Sequence, residues 1–181
     1  MTFRDLKADE IDVRVGTVTD KGTSLLLYKD ARVDMNILDE TVGTLNWQRR
    51  HLRDNANCIV SIWDEDKKMW VEKEDTGTES NTEKEKGLAS DSFKRACTCL
   101  GIGRELYTAP FIWVSKDKLS INDKGKITDK FYVLEVGIKD KTITDLEIFN
   151  NRGVRVFNFK NGKEVKQWVV ALKLKQEVVR L

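Results

Sequence analysis

The chain has 181 residues, of which 40% are hydrophobic and 34% charged, with 32 Lys plus Arg against 30 Asp plus Glu and a net charge of +2. That length suits one domain or one domain with an appendage, and the near-balance of charge excludes a uniformly basic nucleic-acid binder, so any basic surface has to come from clustering. No apolar run approaches the ~18 residues of a membrane span, so no membrane partner is expected.

The opening MTFRDLKADE lacks the apolar core of a signal peptide, and a cytoplasmic location is expected. From Ile11 to Val18, Ile11, Val13 and Val15 alternate with Asp12, Arg14 and Gly16, the pattern of a half-buried strand. After the turn at Asp20 to Gly22, the apolar patch Leu25 to Tyr28 extends a hairpin. Lys29 to Val42 reads as a helix with Ala31, Met35, Leu38 and Val42 in one stripe, widened by Ile37, and Gly43 as its stop. Arg32 lies beside that stripe, where the plain expectation is a surface salt bridge to Asp34 or Asp39.

Three strand-like runs follow with short polar connections, the pattern of an antiparallel meander. They are Leu45 to Leu52, with Trp47 inward and Arg49 and Arg50 on opposite faces; Asn57 to Trp63, with Cys58, Val60 and Ile62 on one face; and Met69 to Lys73. The acids Asp64, Glu65 and Asp66 at the tip between the last two keep an edge soluble rather than bind a metal. A Gly-containing loop, Asp75 to Ser80, leads into the strongest helical signal, Asn81 to Leu106. Asn81 or Thr82 can cap it, and Glu83 and Glu85 suit its positive end. Ala89, Ser92, Phe93, Ala96, Cys97 and Leu100 form its buried stripe before Gly101 stops it. Lys94 and Arg95 fall off that stripe, as an ordinary solvated face or as a pair of cations for a phosphate backbone.

Beyond the helix, the FIWV run at Phe111 to Val114 can dock on a sheet. Phe131 to Ile138, Ile143 to Phe149 and Val154 to Phe159 make a small second meander. The tail from Lys163 mixes strand and helix periods and is a candidate interaction arm. The division expected is 1–118 as the core and 119–181 as the C-terminal meander and tail, packed on the same domain. The fold class is α+β: a curved antiparallel sheet, packed against and crossed by two main helices, with a small C-terminal meander.

The motifs of bond chemistry are missing. There is no phosphate loop, and Gly101 and Gly103 end a helix rather than open a dinucleotide fingerprint. A lone His51 builds no nucleophilic triad, and with three cysteines at positions 58, 97 and 99 it gives no zinc set. The odd thiol count fits a reducing compartment. No metal or other cofactor is expected, and binding rather than catalysis is the reading the residues favour.

The order of elements, with Ala31-Arg32-Val33, then Val42-Gly43-Thr44-Leu45-Asn46-Trp47, then Asp91-Ser92-Phe93-Lys94-Arg95-Ala96 followed by Leu100-Gly101, resembles the homologous-pairing domain of the Rad fifty-two superfamily of single-strand annealing proteins, over roughly Leu6 to Val114. That superfamily includes phage recombination proteins of similar size. The resemblance implies protomers packed into a ring or arc and a basic groove that holds single-stranded DNA by its backbone, with Arg32, Lys94 and Arg95 facing it. Arg49 and Arg50 are counted with them as candidate strand contacts. Thr44 and Thr98 stand where relatives carry an aromatic and a further basic residue.

The implied activity is ATP-independent binding and annealing of complementary strands in recombination and repair, without bond chemistry, in a bacterial host cell near the nucleoid, with host or phage recombination proteins as possible partners. Annealing needs only phosphates neutralised and base edges left open, since pairing itself supplies about 1.4 kcal/mol per step. The alternatives are a metal-dependent nuclease or other DNA-processing enzyme, and a non-catalytic assembly protein sharing the fold.

Overall fold

A computed structural model describes residues 1–78 and 84–165, the side chains of 84–86 excepted. The caps expected at Asn81 or Thr82, the placement of Glu83, the Glu85 side chain and the tail beyond Val165 lie outside the described residues. The fold is α+β and antiparallel throughout: a strongly curled seven-stranded sheet, a separate three-stranded sheet and two helices. Among the described residues no helix is long and apolar enough to cross a membrane.

The chain forms two compact units, one of residues 1–6 and 29–104, the other of residues 7–28 and 105–181. The first holds α1 (Ala31–Val42), β3 (Trp47–Leu52), β4 (Asn57–Asp64), β5 (Met69–Thr76) and α2 (Lys84–Leu100), the sheet running β3-β4-β5. Asp30 caps α1, its carboxylate accepting from the Arg32 backbone N–H at 2.8 Å, so the helix starts two residues later than the sequence reading. Cys58, Val60 and Ile62 of β4 meet the α2 face of Phe93, Ala96 and Cys97, all of them 5% exposed or less. The three share the helix-facing side of β4 as the sequence places them, while Asn57, Ile59 and Ser61 between them are buried as well.

Two glycines set the path of the chain around α2. A Cβ on Gly77 would lie 2.6 Å from the Ser92 backbone nitrogen, so only glycine lets the loop after β5 pass this close to the helix. At the other end Gly101, at φ 101°, closes a Schellman motif: its N–H donates to the Thr98 carbonyl at 3.0 Å and that of Ile102 to Cys97 at 3.1 Å, with Ile102 fully buried. Arg104 finishes the cap by donating to the Thr98 and Cys99 carbonyls at 3.0 and 3.2 Å.

The second unit is one sheet in the order β10-β9-β8-β7-β1-β2-β6. Its strands are β1 (Asp12–Val18), β2 (Gly22–Tyr28), β6 (Ile112–Ser115), β7 (Phe131–Lys139), β8 (Thr142–Asn150), β9 (Arg155–Lys160) and β10 (Lys163–Glu164). Leu25, Val114, Val133, Leu146, Ile148 and Val156 supply its buried side. The C-terminal meander joins the N-terminal hairpin in this one sheet. β7 pairs with β1 at Tyr132 and Asp12, and β6 pairs with β2 from Ile112 opposite Leu25 to Ser115 opposite Gly22. The β1-β2 hairpin, grouped with residues 1–118 from the sequence, joins the C-terminal strands because both of its edges still carry unpaired backbone groups.

Candidate nucleic-acid interface

The basic residues singled out in the sequence all fall in the first unit, on three elements whose packing fixes where each side chain leaves the surface. Phe93 is the anchor. It is fully buried on α2, its ring lies 6.1 Å from Trp47 of β3 at 25°, and the Arg49 guanidinium sits 4.7 Å from its centroid. Beside it the Ser92 hydroxyl donates to the Asn55 carbonyl at 2.9 Å. With these positions turned inward, Lys94 and Arg95 emerge half-buried on the flanks of the helix.

The two leave in different directions. The Lys94 charge acts on Asp30 and Asp34 of the α1 side, where α1 and α2 pack together. Among the described residues Lys94 makes no ion pair. Arg95 turns towards β5: its Nη2 lies 3.5 Å from Asp75 Oδ1, beyond hydrogen-bond strength, and its Nε is buried without a hydrogen-bond partner. Asp75 also accepts from the Cys99 thiol at 3.8 Å and from the Thr76 N–H at 2.7 Å.

Arg32 is 83% exposed and folds back on Asp30, Nε donating to Oδ1 at 2.9 Å and Nη2 to Oδ2 at 3.3 Å. The expected partners Asp34 and Asp39 are used elsewhere. Asp39 accepts from the Trp47 indole N–H at 2.7 Å, and Asp34, fully buried, takes the Lys29 ammonium on both oxygens at 2.5 and 2.6 Å. Gly103 covers the Lys29 stem at φ 66°, a place with no room for a Cβ.

Asp30 thus holds Arg32 at the start of α1, Lys94 stands on a flank of α2 from which its charge reaches Asp30 and Asp34, and Arg95 stands with Asp75 of β5. Arg49 belongs to the helix-facing side of the sheet through Phe93, whereas Arg50, opposite Ile59 and in row with Glu74, is on the face turned away. Arg50 therefore does not join the others. Lys73, opposite Val60 and in row with Arg49, is on the helix-facing side and was not singled out from the sequence. Nor were Asp30 and Asp75. Asp30 carried a legible signal, an Asp immediately before a helical stripe; Asp75 reaches Arg95 across 20 positions and carried none.

The ionisable groups under this surface are shifted by burial and by neighbouring charges. Burial pushes the Cys58 thiol up to about 11 and Cys97 well above its ordinary value, keeping both protonated and poor nucleophiles. Burial, then the Asp75 charge, also raises Cys99. His51, whose Nδ1 is 3.4 Å from the Ser92 hydroxyl, is lowered by burial and by Arg49. At the β4-β5 tip Asp64 and Glu65 pair with Lys67 and Lys68. Among the described residues no three His, Cys, Asp or Glu side chains converge as a metal site would require. No family model, curated protein or solved structure matches this chain.

Proposed function

We propose that this protein binds single-stranded DNA and anneals complementary strands without ATP, working as an oligomer. The observation that carries the reading is Lys94: a cation held on a helix pinned through Phe93 and packed against α1, without an ion pair among the described residues. An ammonium in that position gains a strong, salt-sensitive interaction with a phosphate and gives up no structural contact for it. Arg95 and the helix-side Arg49 and Lys73 extend the basic surface across the sheet. One subunit with so few cations binds weakly, and repetition along a strand multiplies that hold through effective concentration.

The test is Lys94→Ala with Arg95→Ala, read by anisotropy of a labelled single strand across a salt series. The double variant is expected to lose most of the binding and to flatten the salt dependence by about one unit per phosphate contact removed, while melting like the parent. Wild-type affinity in that variant rejects the site. Incubating labelled single and double strands with magnesium or manganese decides the enzyme class, because an annealer leaves strand length unchanged. Native mass with and without an oligonucleotide decides the assembly: a monomer in both rejects the ring or arc.

A further inference from the structure

The cations of this surface are not bare. Arg32 rests on Asp30, Arg95 lies within reach of Asp75, and the charge of Lys94 stands in the field of Asp30 and Asp34. We infer that Asp30 and Asp75 act as internal competitors of the phosphate backbone, occupying Arg32 and Arg95 when the strand is absent and returning to them as it leaves. This rests on the strand-binding reading above and names what makes that binding reversible.

The geometry lets the arginine side chains exchange partners while Asp30 stays in place as the cap of α1. Arg32 is 83% exposed and Asp30 46%, the setting in which ion pairs are weakest and a phosphate can replace a carboxylate on the same two guanidinium donors. The Arg95 pair is only half made: 3.5 Å from Asp75, with the Nε donor left unused. Arg32, Lys94 and Arg95 supply three positive charges and Asp30 and Asp75 two negative ones, so the surface attracts a phosphate backbone only modestly while both carboxylates keep their charge. That suits annealing, in which the hold on each strand has to yield once a complement pairs.

The experiment uses Asp30→Asn, Asp75→Asn and the double variant in the full chain. Asparagine still caps α1 as well as aspartate does, so the helix start is preserved. Binding of a labelled oligothymidylate and the annealing of two complementary labelled oligonucleotides are measured at one low salt concentration. The double variant is expected to bind about 10-fold tighter than the parent, each single variant part of that, with strand release slowed in proportion and annealing retarded when strand is in excess. Asp75→Asn should bring no gain in an Arg95→Ala background. Unchanged or weaker binding in the double variant, while the parent binds, overturns the inference. Should the double variant melt early, Asp75→Asn alone decides by the same measure. A parent that binds no strand at all overturns the strand-binding reading itself, and this inference with it.

Discussion

At the scale of single residues, the buried pair of Lys29 and Asp34 carries the sharpest energetic consequence. Lys29 is 5% exposed and Asp34 fully buried, and the carboxylate receives the ammonium on both oxygens. Desolvating either ion alone costs several kcal/mol, which only the partner offsets. Lys29→Met should therefore destabilise the protein by about 3–5 kcal/mol in urea unfolding followed by tryptophan fluorescence, because Asp34 stays behind uncompensated. Replacing both, Lys29→Met with Asp34→Leu, should cost much less than the single change, and a larger cost would refute the argument. The same site sets a pH dependence. Burial pushes Asp34 up to about 6 from 3.8, against the pull of Lys29, so the folded chain holds that proton more tightly than the unfolded one. Its contribution favours folding fully below 3.8 and is lost as pH rises through about 6. His51 has the opposite sign: lowered in the folded state, it favours folding above its unfolded value of 6.5, and that contribution is lost as pH falls below it. Asp34→Asn should remove the stability decline between about pH 4 and 6, and His51→Gln the loss on acidifying below about 6.5, both visible in unfolding midpoints across pH.

At the scale of elements, α2 is held by one ring. Phe93 fills the space between the helix and β3, stacking on Trp47 and lying beneath the Arg49 guanidinium, so its removal opens a cavity and frees two neighbours together. Phe93→Ala should cost about 3–5 kcal/mol, and strand binding should weaken even where the variant remains folded, because Lys94 and Arg95 lose their fixed base. Unaltered affinity in a folded Phe93→Ala would show that the pinning of α2 does not position these cations. The anchor was legible in the sequence: Ser92, Phe93, Ala96 and Cys97 recur at helical spacing and all four are buried, and the strands of the meander fall close to where alternation put them. Partners were not legible. The sequence marks β1 and β2 as a hairpin but not that β7 and β6 complete its edges, more than 80 residues along the chain. The candidate site divides in the same way. Lys94 and Arg95 stand out locally as charges off a stripe, whereas their separation onto two flanks, with Asp30 on one and Asp75 on the other, depends on helix and sheet packing that no local period encodes.

At the scale of the molecule, the chain path makes a prediction of its own. β2 and β6 are hydrogen-bonded neighbours in the seven-stranded sheet, yet residues 29–104, nearly the whole of the first unit, lie between them in sequence. That unit is thus inserted into what is otherwise a short connection between antiparallel strands, the kind of place where insertions are tolerated because the two chain ends already meet. Leu25 faces Ile112, so the chain continuing past Tyr28 and the chain arriving from Glu105 run side by side. Thr108 and Glu105 belong to the sheet unit, Thr108 accepting from the Ile143 N–H at 2.9 Å, and the cut therefore falls before them. Joining Tyr28 to Glu105 through a short glycine-rich linker should leave a β-rich protein that melts cooperatively. All five cations of the proposed interface go with the excised segment, so this shortened chain should bind single strands no better than a neutral control at moderate salt. Retained, salt-sensitive binding would place the strand contacts on the seven-stranded sheet and remove them from α1, β3, β5 and α2. A shortened chain without cooperative melting would show that the sheet depends on the inserted unit for its stability, contrary to the path argued from β2 and β6.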